Sequence, residues 1–263
     1  MAQRLPGGYV LDPADPRSPT EEEWGAMTAA ERARVVAMLP AEVPWELNPP
    51  EGDWHQDAKV RAKGTLNEFF RRAGRRIYVT NELGVYYPGE TLFCPDILAV
   101  LDVDDHPRTK WVVVDEGKGL DLVIEVHHKG DRKKDYETNV ERYARLGIAE
   151  YFIFDVGAID LRGHRLSPSK PAVYVPILPQ AGRWASNVLG LDLALEDGGI
   201  RFFQGTAALL EASELAAQLG KMLDEALAKK ADAARDAEAR IAELERRLRE
   251  ADAEIERLRG GKR

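Results

Sequence analysis

The chain has 263 residues, of which 44% are hydrophobic and 31% are charged, so it can bury a sizeable core and is not disordered throughout. Its 37 basic and 45 acidic residues give a formal net charge of -8. This balance excludes a polybasic nucleic-acid binder, but not an enzyme that has a local basic patch. The single cysteine, Cys94, excludes an internal disulfide and a cysteine-rich zinc site and indicates a reducing cytoplasm. The pattern predicts neither a signal peptide nor a membrane span, since the longest apolar runs are strand-sized.

Residues 1–51 predict a proline-rich leader followed by a helical extension. Thr20 precedes three glutamates, and the spacing of Thr20 and Glu23 is that of a capping box, which predicts a helix start. Apolar residues then recur at helical spacing as far as Leu39. This pattern predicts a single helix that ends before Pro40.

Residues 52–205 predict an α/β domain with a mixed sheet. A first helix is predicted from His55 to Ala73, with Val60, Leu66 and Phe70 among its inward residues. Short β-rich runs follow, then a helix over 133–146 and a fully apolar strand over 151–155. This order of helix, strands, helix and strand is typical of a mixed sheet flanked by helices. The candidate strands before the second helix are 77–79, 85–87, 97–103, 111–114 and 120–126.

Residues 207–259 differ sharply in composition and predict a long coiled-coil helix. This segment contains no proline and is rich in Ala, Leu, Glu, Arg and Lys. Apolar residues follow alternating steps of four and three, but Lys230 and two alanines weaken the middle of this pattern. Self-association would stabilise such a helix, which predicts a homo-oligomer; the alternative is a solvated single helix. The positions are Leu223, Leu227, Ile241, Leu244, Leu248, Ala251, Ile255 and Leu258.

Two carboxylates lie at or within apolar strands. Asp96 follows Pro95 directly before a strand, and Glu125 lies inside the run Leu122 to Val126. A carboxylate in a buried strand is costly unless a positive group pairs with it. A hard divalent cation such as Mg²⁺ or Mn²⁺, which prefers oxygen ligands, would meet that need. The alternative is that Asp96 is a turn residue and Glu125 pairs with an arginine.

The sequence resembles the Uma family of putative restriction endonucleases (DUF820-like), within the PD-(D/E)XK nuclease superfamily. Three features carry the resemblance, namely Pro95-Asp96, Glu125-Val126 and the run from Asp131 to Asp155. The resemblance spans about residues 20–205 and implies a restriction-endonuclease-like core. It also implies a phosphodiesterase site in which Asp96 and Glu125 bind one or two Mg²⁺ ions. The expected activity is metal-dependent cleavage of DNA.

The lysine that the superfamily pattern expects beside these carboxylates is absent from both of its usual positions. His127 occupies the position two residues after Glu125, and Asn139 occupies the alternative position on the following helix. Lys129, Lys133 and Lys134 are nearby substitutes, and we favour Lys134 because it lies about one turn before Asn139. Alternatively, His127 acts as the base or as a phosphate ligand. A catalytically retired nuclease fold that binds nucleic acid or serves as an oligomeric scaffold is the competing hypothesis.

Local basic residues provide the candidate DNA-binding surface. Residues 55–76 contain seven Lys or Arg residues against two acidic ones, and residues 127–145 are also net basic. If both segments flank the two carboxylates, they form a positive rim suited to a phosphate backbone. The lysines predicted to contact nucleic acid are Lys59, Lys63, Lys129 and Lys133.

Overall fold

The computed structural model describes residues 3–4, 9–12, 14–44, 52–128, 132–168 and 172–260, which divide into two compact units, Met1–Glu211 and Ala212–Arg263. The helices are α1 (Glu21–Ala26), α2 (Ala29–Met38), α3 (Asp53–Arg72), α4 (Val113–Glu116), α5 (Asn139–Arg145) and α6 (Ala212–Gly260). The first strands are β1 (Gln3–Arg4), β2 (Val10–Leu11), β3 (Ile77–Asn81), β4 (Val85–Tyr86), β5 (Ile97–Leu101), β6 (Trp111–Val112) and β7 (Leu122–His127). The remaining strands are β8 (Glu150–Asp155), β9 (Asp160–Leu166), β10 (Tyr174–Ile177), β11 (Arg183–Ser186), β12 (Leu191–Glu196), β13 (Gly199–Gln204) and β14 (Ala207–Ala208).

The N-terminal extension contains two helices, so the prediction of a single one is wrong. Thr20 and Glu23 form the predicted capping box at the start of α1. A second capping box, formed by Thr28 and Glu31, starts α2. Because an N-cap residue has extended backbone geometry, Thr28 ends any helix that would otherwise continue from α1. The apolar side chains of both helices, such as Trp24 and Val35, are buried in one small hydrophobic cluster.

The central element is a six-stranded sheet in the order β10-β9-β8-β7-β5-β3. Only the β7–β8 pair is parallel, and each of the other neighbouring pairs is antiparallel. The segment between β7 and β8 forms a π-helical turn, Lys134–Thr138, and then α5, as a parallel connection requires. The predicted mixed sheet flanked by helices is therefore confirmed.

The two faces of this sheet pack against different elements. Leu122, Ile124 and Val126 alternate along β7 and pack in one cluster with residues of α3 and of the β11–β14 sheet. The intervening positions of β7 face the side of α5, where Val123 packs in a cluster with Tyr143. Glu125 lies between Val123 and His127 on that second face, because successive side chains of a strand point to opposite faces.

Besides the two-residue strands β1, β2 and β14, the sequence pattern missed two longer strands, β9 and β11. β8 pairs along its whole length with residues 160–165 of β9, and β11 pairs with β12. Charged residues such as Arg162 and Arg165 interrupt the apolar pattern of β9. β9 is stabilised by pairing with its neighbouring strands more than by its own composition. A local sequence pattern contains no information about that pairing.

The second unit is dominated by α6, which extends over Ala212–Gly260. Every residue of α6 from 216 to 257 is exposed. Among the described helices, α6 included, none is long and apolar enough to cross a bilayer.

Candidate active site

Asp96 and Glu125 meet because their strands are neighbours. β5 and β7 are antiparallel with Ile97 opposite Ile124, which places the residue before β5 beside Glu125. The Asp96 backbone N–H donates to Glu125 Oε2 at 3.3 Å, and the Val126 N–H donates to Asp96 Oδ2 at 2.7 Å. Two carboxylates from separate strands therefore lie side by side, each hydrogen-bonded to a backbone N–H of the other strand.

Glu125 is an acidic group in an apolar interior. Glu125 is only 3% exposed, and its Oε1 accepts a 2.6 Å hydrogen bond from the Tyr143 hydroxyl. Burial, followed by the negative charge of Asp96, raises the pKa of Glu125 well above its usual value. Among the described residues no arginine pairs with Glu125. A bound cation would remove the repulsion that raises this pKa.

Asp96, in contrast, lies beside a histidine and a lysine. His55 Nε2 lies 3.3 Å from Asp96 Oδ2, and Lys59 Nζ lies 3.7 Å from Oδ1. Burial alone would raise the pKa of Asp96. The hydrogen bond and charge of His55, the Val126 N–H and Lys59 outweigh burial and lower that pKa. Asp96 is therefore the carboxylate that stays ionised.

Lys59 is fully buried, with 0% exposure, and it also pairs with Glu82. The ammonium thus links Glu82, at the end of β3, to Asp96, at the start of β5. The sequence predicted Lys59 as a contact for nucleic acid, whereas the structure places it among carboxylates. Sequence reasoning missed Glu82 and His55 entirely.

A signal for these residues was present in the spacing of α3. His55, Lys59, Ala62, Leu66 and Phe70 follow helical steps of four and three and form the buried stripe of the helix. The prediction instead placed Val60 inward, and that side chain is 53% exposed. A lysine in register with apolar residues on the buried face indicates a paired internal charge.

His127 forms a dyad with Asp135. Its Nδ1 lies 2.9 Å from Asp135 Oδ2, and Asn139 Nδ2 donates to the other carboxylate oxygen at 3.3 Å. Tyr151 donates its hydroxyl to the Asp135 backbone carbonyl at 2.9 Å. Burial raises the pKa of Asp135, although the hydrogen bond from His127 and the charge of Lys134 oppose that rise. Asn139, in the usual lysine position, thus serves to orient Asp135.

The predicted lysines occupy different environments. Lys134 lies close enough for its charge to lower the pKa of both Glu125 and Asp135. Its position in the π-helical turn is of a kind often found at functional sites. Lys133 is 70% exposed and pairs with Glu137. Lys63 donates to Asn81 Oδ1 at 3.1 Å, and Lys129 lies outside the described residues.

The oxygen atoms of this site are suited to a hard cation. Asp96 and Glu125 present carboxylates, and Mg²⁺ in proteins is commonly bound by one or two carboxylates, water and substrate phosphate. Within the described ranges there is no group of three or more His, Cys, Asp and Glu side chains placed to hold a metal. If the site binds an ion, Asp96 and Glu125 would supply two carboxylate ligands, and water or phosphate would complete the coordination.

Residues 36–196 match the model of the Uma2 family, which is described as a putative restriction endonuclease. The chain belongs to the Uma2 family. The resemblance inferred from Asp96, Glu125 and the run 131–155 is therefore confirmed. The Uma2 segment contains every residue of the site described above, whereas α1 and α6 lie outside it.

The solved structures that resemble this Uma2 protein include that of another nuclease-family member. It is the crystal structure of a putative nuclease belonging to DUF820 from Anabaena variabilis ATCC 29413. The similarity covers 57% of this chain and 81% of that one, at 15% identity and a TM-score of 0.41. No curated protein matches the sequence.

Proposed function

We propose that this chain is a metal-dependent endonuclease that hydrolyses phosphodiester bonds in DNA, through a nuclease domain over residues 52–205. The contact between Asp96 and Glu125 carries the proposal, because their mutual repulsion and burial create a demand for a cation. Membership of Uma2 supports the same reaction class. The single cysteine favours the cytoplasm as its location.

Asp96 and Glu125 would hold the metal, for which Mg²⁺ or Mn²⁺ fits the carboxylate ligands best. When bound, such an ion lowers the pKa of water and neutralises charge that develops on the phosphate. Neighbouring side chains fix the charge and the orientation of the two carboxylates. His55 and Lys59 keep Asp96 ionised, and Tyr143 fixes the orientation of Glu125 through its hydrogen bond.

His127 is the group that we propose to handle the proton. Asp135 holds the imidazole through Nδ1, so that Nε2 is the ring nitrogen that can take a proton from the attacking water. His127 lies two residues after Glu125 on the same face of β7, which places it beside the metal ligands. Its dyad with Asp135 supports this role because a fixed ring loses little entropy during reaction.

We expect Lys134→Ala to lower the cleavage rate about 10²-fold, because Lys134 is the positive group proposed to replace the missing motif lysine. Its charge already acts on Glu125 and Asp135. Single-turnover cleavage of a labelled duplex measures the loss. Lys133→Ala is the matched control, since its side chain is 70% exposed and pairs with Glu137 one turn further along. Equal rates for both variants would contradict the assignment of Lys134.

A basic and aromatic surface next to the dyad supports DNA as the substrate. The guanidinium groups of Arg132 and Arg162 lie 4.4 Å and 5.0 Å from the ring centre of Tyr136. That ring meets the His127 ring edge-on at 5.9 Å. Both arginine side chains are about half exposed, and each also pairs with an aspartate, Arg132 with Asp155 at 3.7 Å and Arg162 with Asp160 at 3.1 Å. Their exposed guanidinium groups can still contact a phosphate backbone. The proposed partners are thus DNA and, through α6, further copies of the chain.

Incubation of the purified full chain with supercoiled plasmid tests the proposed function. We expect nicked and linear products with Mg²⁺ or Mn²⁺ and none in excess EDTA. Gel electrophoresis measures the products, and electrophoretic mobility shift in Ca²⁺ measures binding separately. Binding to DNA without cleavage in either metal would instead support the retired scaffold.

A further inference from the structure

The helix α6 exposes a stripe of large apolar side chains to solvent. Each of these side chains would be expected in a core or an interface, and a contiguous apolar stripe marks an interaction surface. The exposed fractions are 59% for Leu223, 55% for Leu227, 57% for Ile241, 62% for Leu244, 63% for Leu248 and 47% for Ile255.

The stripe has the spacing of a heptad repeat. Ile241, Leu248 and Ile255 occupy the a positions, and Leu244 and Ala251 occupy the d positions. Ile241 and Ile255 at a, with Leu244 at d, favour two strands over three or four. Leu248 at a and Ala251 at d do not add to this preference. The pattern therefore predicts a single partner helix.

The charges on either side of the stripe are ordered by position. Arg240 and Arg247 are at g positions, while Glu245 and Asp252 are at e positions. Within the described part of the chain these four side chains form no ion pair. Their neighbour on the outer face behaves differently, because Arg246 pairs with Glu243 at 2.8 Å and with Glu250 at 2.7 Å.

We infer that the partner is a second copy of this chain, and that the two α6 helices form a parallel, in-register, two-stranded coiled coil. In a parallel pair each g residue meets the e residue of the following heptad on the other helix. Arg240 then meets Glu245 of the second copy, and Arg247 meets Asp252. By symmetry, each contact of opposite charges occurs twice.

The antiparallel arrangement brings like charges together. There e positions face e positions, and Glu238, Glu245 and Asp252 are all acidic. Acid would thus meet acid along that edge, and juxtaposed like charges disfavour an arrangement. The distribution of charge selects orientation, while the apolar stripe provides the attraction.

Lys230 occupies a d position and opposes pairing in the middle of the stripe. In a parallel, in-register pair it lies across from its own copy, so its aliphatic stem must carry the ammonium outward to solvent. A polar residue at one core position lowers stability but helps to select register. We expect Lys230→Leu to tighten self-association in sedimentation experiments on the full chain.

Cysteine cross-linking of the full-length protein tests orientation and register together. Ala237→Cys and Ala251→Cys, made separately, each introduce a thiol at a d position. An antiparallel register can place one of these positions opposite its own copy, but never both. We expect mild oxidation to give disulfide-linked dimers of both variants. Ala239→Cys, on the outer face, and the wild-type chain with only Cys94 are controls that should remain uncrosslinked.

Charge reversal tests the proposed pairs. Arg240→Glu with Arg247→Glu should weaken the dimer about 30-fold or more, because four attractive contacts become repulsive. The further changes Glu245→Arg and Asp252→Arg should restore it. Sedimentation equilibrium measures the affinity. A monomer at micromolar concentration, a trimer, or a disulfide at only one of positions 237 and 251 would overturn the inference. None of these measurements depends on nuclease activity.

Discussion

Glu125→Gln is expected to lower the rate of plasmid cleavage about 10³-fold, the larger of the effects usual for loss of one electrostatic group. A neutral amide cannot balance the charge of a divalent cation. It does fill the same volume, and its oxygen can still accept the hydrogen bond from the Tyr143 hydroxyl. Metal-dependent cleavage at saturating Mg²⁺ measures the loss, and metal titration reports whether binding is weakened as well. DNA binding in Ca²⁺ should persist.

Glu125→Gln should leave the fold intact, so a lower cleavage rate can be attributed to the active site and not to unfolding. The pKa of Glu125 is raised in the folded chain, so in the absence of metal this group destabilises the fold as pH rises above the ordinary value for glutamate. Glutamine removes that cost, and we expect an unchanged or higher melting temperature at neutral pH without metal. Glu137→Gln, on an exposed side chain of the π-helical turn, is the matched control. Wild-type rates for Glu125→Gln would refute the proposed metal site.

Glu150→Ala is expected to lower the free energy of unfolding by about 2–3 kcal/mol, the cost of leaving several hydrogen-bond donors without an acceptor. Glu150 is 1% exposed and begins β8. Its carboxylate accepts hydrogen bonds from Arg165 Nε at 2.9 Å, from the Asn187 N–H at 2.8 Å and from the Ser186 hydroxyl. Alanine would leave the buried Ser186 hydroxyl and the two partly buried donors without this acceptor.

Urea unfolding followed by circular dichroism measures this loss. Glu150→Gln keeps one acceptor oxygen and should lose less stability than alanine. Glu196→Ala, on an exposed residue at the end of β12, should change stability by less than about 0.5 kcal/mol. Glu150 pairs with Leu122, at the end of β7 away from His127, so cleavage by the folded fraction should be unaffected. A loss below about 1 kcal/mol for Glu150→Ala would mean that the network contributes little to stability.

The predicted strands show where local pattern is sufficient. β5, β7 and β8 are dominated by apolar residues and are almost entirely buried. Such runs can be recognised as buried strands without knowing which elements pack against them. Glu125 is the acidic residue within β7, and it stands out because its neighbours in the strand are apolar. β9 lacks such a run, because its residues alternate between buried and partly exposed and include arginines, so it was not found.

The two helices of the N-terminal extension show that competing local signals can mislead. The sequence from Thr28 to Glu31 is as good a capping box as that from Thr20 to Glu23. Apolar spacing from Trp24 to Val35 nevertheless fits one continuous helix. The helix break follows from hydrogen bonds of the Thr28 side chain, which periodicity alone does not weigh.

The sequence by itself determined the mixed α/β class, the Uma2 relationship and the two carboxylates, because strand burial and short motifs are local properties. The tertiary structure alone decided what surrounds those carboxylates. His55, Lys59 and Glu82 come from α3 and from the end of β3, and their charges acquire meaning only when packing brings them to Asp96. A lysine on a helix is usually solvated, and the burial of Lys59 is tolerated because two carboxylates from elsewhere in the chain offset the loss of water.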